Sequence, residues 1–480
     1  MSNEQLEEIF IMFENSALEL AAAIKSKKLS VSEIVSGYLE TIEKNNSCFN
    51  TFITMKKENA LQRAQEIQSR IEKGETLSPL AGVPIALKDN ISTMGIETTC
   101  ASKMLKGYKP VYNAAVVEKL ESAGLIVIGK LSMDEFTAEV PGTILNPWNT
   151  EHTAGDGSAA ALAAGEAPLA LGTDTGIRQP CSFCGITGIR PTYGAVSRYG
   201  IVAFTSSLEQ AGPMGQNIED NATLLSVISG SDERDSTCII KKPFDFNEQN
   251  TGVKGIRIGI PRNYLAGEIN DEVKAAVIAA AKEFEAAGAI IEEFEMPLTD
   301  YILPVYSIIS SAECSSNLAK YDGLKFGYRS PDAKTLSEVY RLSRSEGFGF
   351  DVKRSIMLGS LVLSSECYET YYKKALQGRT LIKEAYNKLF KQYDIILSPV
   401  TPTTAYKFGT DNDDTRDIYT ASVNLAGLPA VALPCGFDKQ GLPIGFQLIG
   451  DAFTENKLIN AARIYQNRTD HHTKKPRVAS

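Results

Sequence analysis

Residues able to do chemistry gather in one stretch of the chain. Between His152 and Gly188 it reads H-T-A-G-D-G-S-A-A-A-L-A-A-G-E-A-P-L-A-L-G-T-D-T-G-I-R-Q-P-C-S-F-C-G-I-T-G. Segments this rich in Gly, Ala, Ser and Thr let backbone approach backbone, and sites that offer N–H groups to a developing anion are built from them. A tightly packed core helix shares that composition, so composition alone leaves both readings open. Upstream, the apolar run Val83 to Leu87 ends at Lys88, which puts a lysine at a strand terminus facing a loop. Other chemistries fit poorly. Cys181-Ser182-Phe183-Cys184 is a lone C-x-x-C with no second pair at metal-ligand spacing, and the 3 histidines are His152, His471 and His472, which argues against zinc. Only His152 lies outside the tail, which disfavours a Ser-His-Asp arrangement. Gly155-Asp156-Gly157-Ser158-Ala159-Ala160 imitates a dinucleotide fingerprint, but Asn146 to Thr150 before it does not read as a strand.

The elements that must position these residues alternate along the chain. Ser16-Ala17-Leu18-Glu19 and Ser30-Val31-Ser32-Glu33 read as capping boxes opening two amphipathic helices. A short strand follows at Asn50 to Thr54, a helix at Lys56 to Lys73 stopped by Gly74, a helix at Asn113 to Ser122 stopped by Gly124, and a buried strand at Leu125 to Ile128. Within the small-residue stretch, helix is expected from Ser158 to Gly165, strand from Leu169 to Leu171, and loop from Gly172 to Gly176. Val253 to Ile260, Asp271 to Ala287 and Ile290 to Phe294 repeat strand, helix, strand, whereas the polar region Asn217 to Glu248 reads as a surface excursion. Thr335 to Arg344, Lys353 to Lys391 and Glu455 to Gln466 read as helices, Ile395 to Ser398 as a strand, and Phe437 to Phe446 as a hairpin. The alternation predicts an α/β fold, a mixed central sheet covered by helices.

Composition bounds the function. The chain has 480 residues, 43% hydrophobic and 22% charged, an ordinary globular balance with length for a large core. A net charge of -9 makes direct grip on a phosphate backbone a poor fit. No apolar run reaches the length of a membrane span, the N-terminus lacks the order of a signal peptide, and the 8 cysteines show no framework spacing, so a cytoplasmic protein with reduced thiols is expected.

Together, Ala81-Gly82-Val83-Pro84-Ile85-Ala86-Leu87-Lys88-Asp89-Asn90, the stretch from His152 to Gly188, and Arg190-Pro191-Thr192-Tyr193-Gly194 resemble the amidase signature family. Glu313 to Gly327, Ile356-Met357-Leu358-Gly359 and Val423 to Pro429 extend the likeness over nearly the whole chain, on the branch of the bacterial glutamyl-tRNA(Gln) amidotransferase A subunits. The resemblance implies the amidase signature fold, a mixed sheet sandwiched between helical layers, with residues 1–75 as an N-terminal helical segment packed on the core, 76–466 as the α/β/α domain and 467–480 as a loose tail. It implies glutamine hydrolysis that supplies ammonia to transamidate Glu-tRNA(Gln), with no cofactor and no metal. It also implies a heterotrimer with amidotransferase B and C subunits, tRNA being met only through a partner, and no membrane.

The same resemblance assigns the general base to Lys88 and exposes four departures. Members use an acylated Ser and a bridging Ser on a cis peptide. Where the family reads G-G-S-S-G-G-S, this chain has Ala154-Gly155-Asp156-Gly157-Ser158, a gap at Gly155/Asp156 that removes the Ser pair. Where the family reads D-T-G-G-S-I-R-Q-P, it has Asp174-Thr175-Gly176-Ile177-Arg178-Gln179-Pro180, a gap at Gly176/Ile177 that removes the nucleophile. A Ser/Thr/Asn-rich loop between Phe136 and Trp148 is shortened, and Ser355 replaces an Arg that can hold a glutamine carboxylate. The expectation is an impaired or inactive enzyme in which Lys88 is a retained base or simply a polar residue the loop still needs. Ser158 then serves as a helix cap. Cys181, in a position that is Ala in the family, is the substitute nucleophile of an alternative, active reading; a non-catalytic scaffold that binds the partner subunits is a further alternative. Thr175, Gly176 and Asp417 are the expected substrate-binding positions, Asp417 matching the acidic residue that receives the glutamine ammonium.

Overall fold

The computed structural model describes residues 16–75, 77–137, 144–174, 176–240, 242–246, 252–408, 410 and 417–477. Its strands are β1 (Phe52–Met55), β2 (Pro84–Lys88), β3 (Ile126–Leu131), β4 (Leu145–Asn146), β5 (Asn149–Thr153), β6 (Leu169–Asp174), β7 (Thr187–Arg190), β8 (Gln210–Gly215), β9 (Arg257–Pro261), β10 (Ile290–Phe294), β11 (Ile395–Pro399), β12 (Ala430–Phe437) and β13 (Pro443–Ile449). Eleven of them form one mixed sheet in the order β1-β3-β2-β6-β8-β7-β12-β13-β11-β9-β10, and β4 pairs with β5 apart from it. β2 lies parallel to both neighbours, β3 and β6, whereas β6, β8, β7, β12, β13 and β11 follow one another antiparallel.

Period-two alternation divides the sheet between two cores. Ile85 and Leu87 of β2, Leu169 and Leu171 of β6, and Val431 and Leu433 of β12 enter one hydrophobic cluster; the intervening Ala86, Ala170 and Ala432 enter another. The first face is covered by helices Ala115–Ser122, Ile218–Ile228, Asp271–Ala286 and Glu455–Arg468. On the alanine face the small side chains let helices Gly157–Ala163 and Arg178–Cys184 pack close to the sheet. Lys88 has the parity of Ala86 and therefore belongs to that face.

The two N-terminal capping boxes form as expected, at Ser16 with Glu19 and Ser30 with Glu33. β1 places this segment on the edge of the main sheet, antiparallel to β3. Other elements differ from the sequence reading. β6 runs on through Gly172, Thr173 and Asp174, because Gly172 pairs with Gly212 of β8 and leaves room for Met214 and Ile177 on its bare face. Residues 217–248 are not all surface: Asn217 caps helix Ile218–Ile228, whose Ile218, Ala222, Leu224, Leu225 and Ile228 enter the first core. That helix is tied to the N-terminus by Asp220, whose carboxylate accepts from the N–H groups of Ala17 at 2.8 Å and Leu18 at 3.0 Å. The long helix read over 353–391 is three pieces, Phe350–Val362, a π turn over Tyr368–Tyr372, and Lys373–Leu389. Asp156, not Ser158, is the N-cap of helix Gly157–Ala163.

Candidate amide-cleaving site

Lys88 closes β2 after four buried residues, at the C-terminal end of a parallel run, where loops rather than strands form the surroundings. Its Nζ lies 2.7 Å from Asp156 Oδ2, with side-chain exposures of 2% and 3%, so both charges are withdrawn from water. The backbone around Asp156 leaves this carboxylate little freedom. Gly155 holds φ +79°, a left-handed conformation open to glycine, and Asp156 is extended at φ -162°. Gly157 tolerates no side chain, because a Cβ there would meet the carbonyl oxygens of Ser132 at 2.5 Å and Thr51 at 2.8 Å. Asp156 Oδ1 meanwhile accepts the Ser158 N–H at 2.8 Å, a capping bond that fixes the rotamer while Oδ2 meets the lysine. Gly176 forms the third wall: its N–H bonds Thr173 O at 2.9 Å, and a Cβ on it would lie 2.6 Å from Lys88 Nζ.

Two further buried ion groups brace the turns on either side. Asp174 at the end of β6 receives Arg178 Nε and Arg190 Nη1, each at 3.1 Å. Burial works against ionisation of Asp174, but the two guanidinium groups outweigh it and hold the carboxyl below its ordinary value. Arg178 reaches on to Gln447 Oε1 at 2.8 Å and to Asn424, tying the turn to β13 and to helix Ile418–Ala426. On the other side Lys130 Nζ lies 3.2 Å from Asp89 Oδ1 and donates to Ile91 O at 2.7 Å and Thr98 Oγ1 at 2.9 Å, which anchors the loop leaving β2.

Lys88, Asp156 and Gly176 open onto a cavity of 620 Å³ that Arg354, Ser355 and Asp417 also line. Asp417 stands at the cap position of helix Ile418–Ala426, and the half-buried Tyr306, which lines the same cavity, has its phenol pushed up by desolvation, with the Asp417 and Asp174 charges adding to it. Ser355, where the resemblance has an Arg, lines the cavity, and so does its neighbour Arg354, an exposed side chain whose guanidinium lies 3.3 Å from Asp351 Oδ1. Cys181 is placed elsewhere. It is fully buried in the second hydrophobic cluster, its Sγ is 2.6 Å from where a Cβ on Gly188 would lie, and burial pushes its thiol well up, with Cys184 and the Asp156 and Asp174 charges adding to it. Thr175 lies outside the described residues, and Gly176 lines the cavity. Ser158 is buried with its hydroxyl unpartnered. Among the described residues no group of three or more His, Cys, Asp or Glu is placed to hold a metal, and no helix is long and apolar enough to cross a membrane.

Sequence reasoning missed Asp156 as the partner of Lys88. The available signal was an acid between two glycines at a helix start, where a side chain has one direction to point. Glu209 was also missed: it is buried, accepts the N–H groups of Phe204 and Thr205, and its carboxyl is raised by burial while those bonds and then the Lys88 charge pull it down.

The chain that sets this lysine at the end of a central strand, against a glycine-rich turn and a helix start, belongs to the amidase family, whose profile matches residues 33–459. Within that family the chain is similar to the A subunits of glutamyl-tRNA(Gln) amidotransferase. It is 49% identical to the A subunit of Agathobacter rectalis, over 94% of this chain and 93% of the relative, and 46% identical to that of Geobacillus kaustophilus, over 97% and 99%. The crystal structure of the A subunit from Thermotoga maritima is 35% identical and superposes with a TM-score of 0.79 over 98% of this chain and 99% of that one.

Proposed function

We propose that this chain is a counterpart of the amidotransferase A subunits in which the step that releases ammonia from glutamine is impaired. The observation that carries the reading is the partner of Lys88. A general base must lie within about 2.6–3.2 Å of the proton it takes. Lys88 has a carboxylate at that distance, which offers it no proton, and the wall at Gly176 has no side chain that could. Loss of the nucleophile in other hydrolases costs roughly a millionfold in turnover.

Similarity to the A subunits supports a partner surface for B- and C-type subunits, with tRNA reached through them and the reaction placed in the cytoplasm. The test uses the chain co-expressed with amidotransferase B and C subunits of a related bacterium. Ammonia release from glutamine should stay at the level of a Lys88→Ala control while the chain co-purifies with the complex. Robust release from the unmodified chain that Lys88→Ala abolishes would refute the reading; failure to co-purify would remove its partner clause.

A further inference from the structure

The residues around the Lys88–Asp156 pair carry the marks of a polar site short of its partners. Among the described residues, Ser132 and Ser158 are buried with hydroxyls that meet no hydrogen-bond partner, and Thr137, on the same cavity as Lys88, has an unpartnered hydroxyl as well. Buried hydroxyls without partners are uncommon in a packed interior, where each costs about 1–3 kcal/mol. Both serines are tied to the Asp156 turn through the backbone: the Ser132 carbonyl accepts the Gly157 N–H at 3.0 Å, and the Ser158 N–H is the donor to Asp156 Oδ1. The ammonium, by contrast, is engaged by a carboxylate.

We propose that Asp156 occupies the seat of a hydroxyl partner of Lys88 and shuts the base with an internal carboxylate, so that a hydroxyl placed at this residue is activated by Lys88 and can itself be acylated. The inference rests on the impaired reading above. Three features bear on the seat being convertible. The Asp156 side chain leaves an extended backbone between two glycines and reaches Nζ, so a serine there projects from the same backbone along the same Cα–Cβ line. A serine Oγ stands where the aspartate Cγ stands, one bond further from Nζ than the Oδ2 that makes the 2.7 Å contact, a gap Lys88 must close for the pair to form. The cavity already opens on this point. Paired hydroxyl and lysine are a working nucleophile and base in other hydrolases.

Asp156→Ser supplies the hydroxyl. With p-nitrophenyl acetate, the introduced oxygen bonds to the acyl carbon, its proton passes to the Lys88 amine, and the C–O bond to the aryl group breaks to release nitrophenolate. Water then cleaves the acyl-enzyme to acetate and regenerates the hydroxyl. Intact mass and peptide mapping of the full chain should show a stoichiometric acetyl adduct at position 156 in Asp156→Ser, and none there in the unmodified chain or in Lys88→Ala/Asp156→Ser. A folded Asp156→Ser, judged by an unchanged circular dichroism spectrum, that stays unacylated overturns the proposal. Should that variant not fold, Asp156→Asn gives a second reading: Lys88 should be acetylated by acetic anhydride in Asp156→Asn and protected in the unmodified chain, and equal protection in both overturns the proposal. Ammonia release by the unmodified chain would instead sink the impaired reading, so the two failures are distinguishable.

Discussion

Replacing Asp156 by Ala should destabilise the fold far more than the loss of a surface acid. At the 2.7 Å separation of Lys88 Nζ and Asp156 Oδ2, an effective dielectric of about 20 gives an attraction of about 6 kcal/mol. Desolvating each ion takes back several kcal/mol, so the pair as a whole contributes little, yet removing one partner strands the other charge in the interior at a cost of about 3–5 kcal/mol. For a chain of 480 residues the unfolding entropy is roughly 1 kcal/mol/K, and that cost becomes a fall in Tm of about 3–5 °C. Lys88→Met should cost a similar amount because it leaves the carboxylate alone. The combination Lys88→Met/Asp156→Leu removes both charges and should recover to within about 2 kcal/mol of the unmodified chain, a strongly non-additive cycle. Urea unfolding of the four proteins measures this, with Tm at one fixed scan rate where unfolding is irreversible. Additivity to within about 0.5 kcal/mol would mean the two charges do not interact across a dry contact, and the account of Lys88 as a base held shut would fall with it.

Glu166, just after helix Gly157–Ala163, accepts the Thr51 hydroxyl in a buried setting, and burial pushes its carboxyl up to about 8 from 4.5, the Thr51 bond opposing. A raised acid is neutral when folded and ionised when unfolded, so its contribution is full below about pH 4.5 and falls as pH rises to about 8. Urea midpoints should show Glu166→Gln gaining roughly 3 kcal/mol on the unmodified chain between pH 4.5 and pH 7. Asp174→Asn should destabilise the fold more than any other change in the site, by at least about 3 kcal/mol, because two buried guanidinium groups lose their shared counter-ion. That carboxyl is depressed, so its support is present above about pH 3.8 and lost as acid titration proceeds below it, a loss the Asn variant should not show. Gly176→Ala puts a methyl 2.6 Å from Lys88 Nζ; displacement of the ion pair should cost about 1–3 kcal/mol in the same urea assay.

Much of the architecture was open to reading because it is local. Ile85-Ala86-Leu87 and Leu169-Ala170-Leu171 advertise a strand with one bulky and one small face, and Ser16 with Glu19 and Ser30 with Glu33 mark helix starts through bonds made within one turn. What failed depended on distant partners. Gly172 reads as a loop residue until Gly212 of β8 is beside it, and Ile218 to Ile228 reads as part of a polar tract until the first core and the Asp220 bonds to the N-terminal helix claim it. In the pocket, Ser355 drew notice because it lacks a guanidinium. The structure sets Arg354 beside it on the same cavity, its guanidinium engaged by Asp351.

The site poses a sharper version of the same problem. Asp174, Arg178 and Arg190, with Gln447 and Asn424, fix the turn after β6, and Lys130 with Asp89 fixes the loop after β2. These networks touch several strands and helices each, and their removal leaves buried charges unpaired, so they persist for reasons of folding whether or not any amide is cleaved. Intact packing motifs therefore say nothing about turnover. Lys88 falls under the same constraint: a buried ammonium requires a counter-charge, and Asp156 supplies it from the nearest helix cap. The residue that satisfies the fold is the one that closes the base, which is why a single carboxylate at position 156 carries both the stability predicted above and the silence proposed for the site.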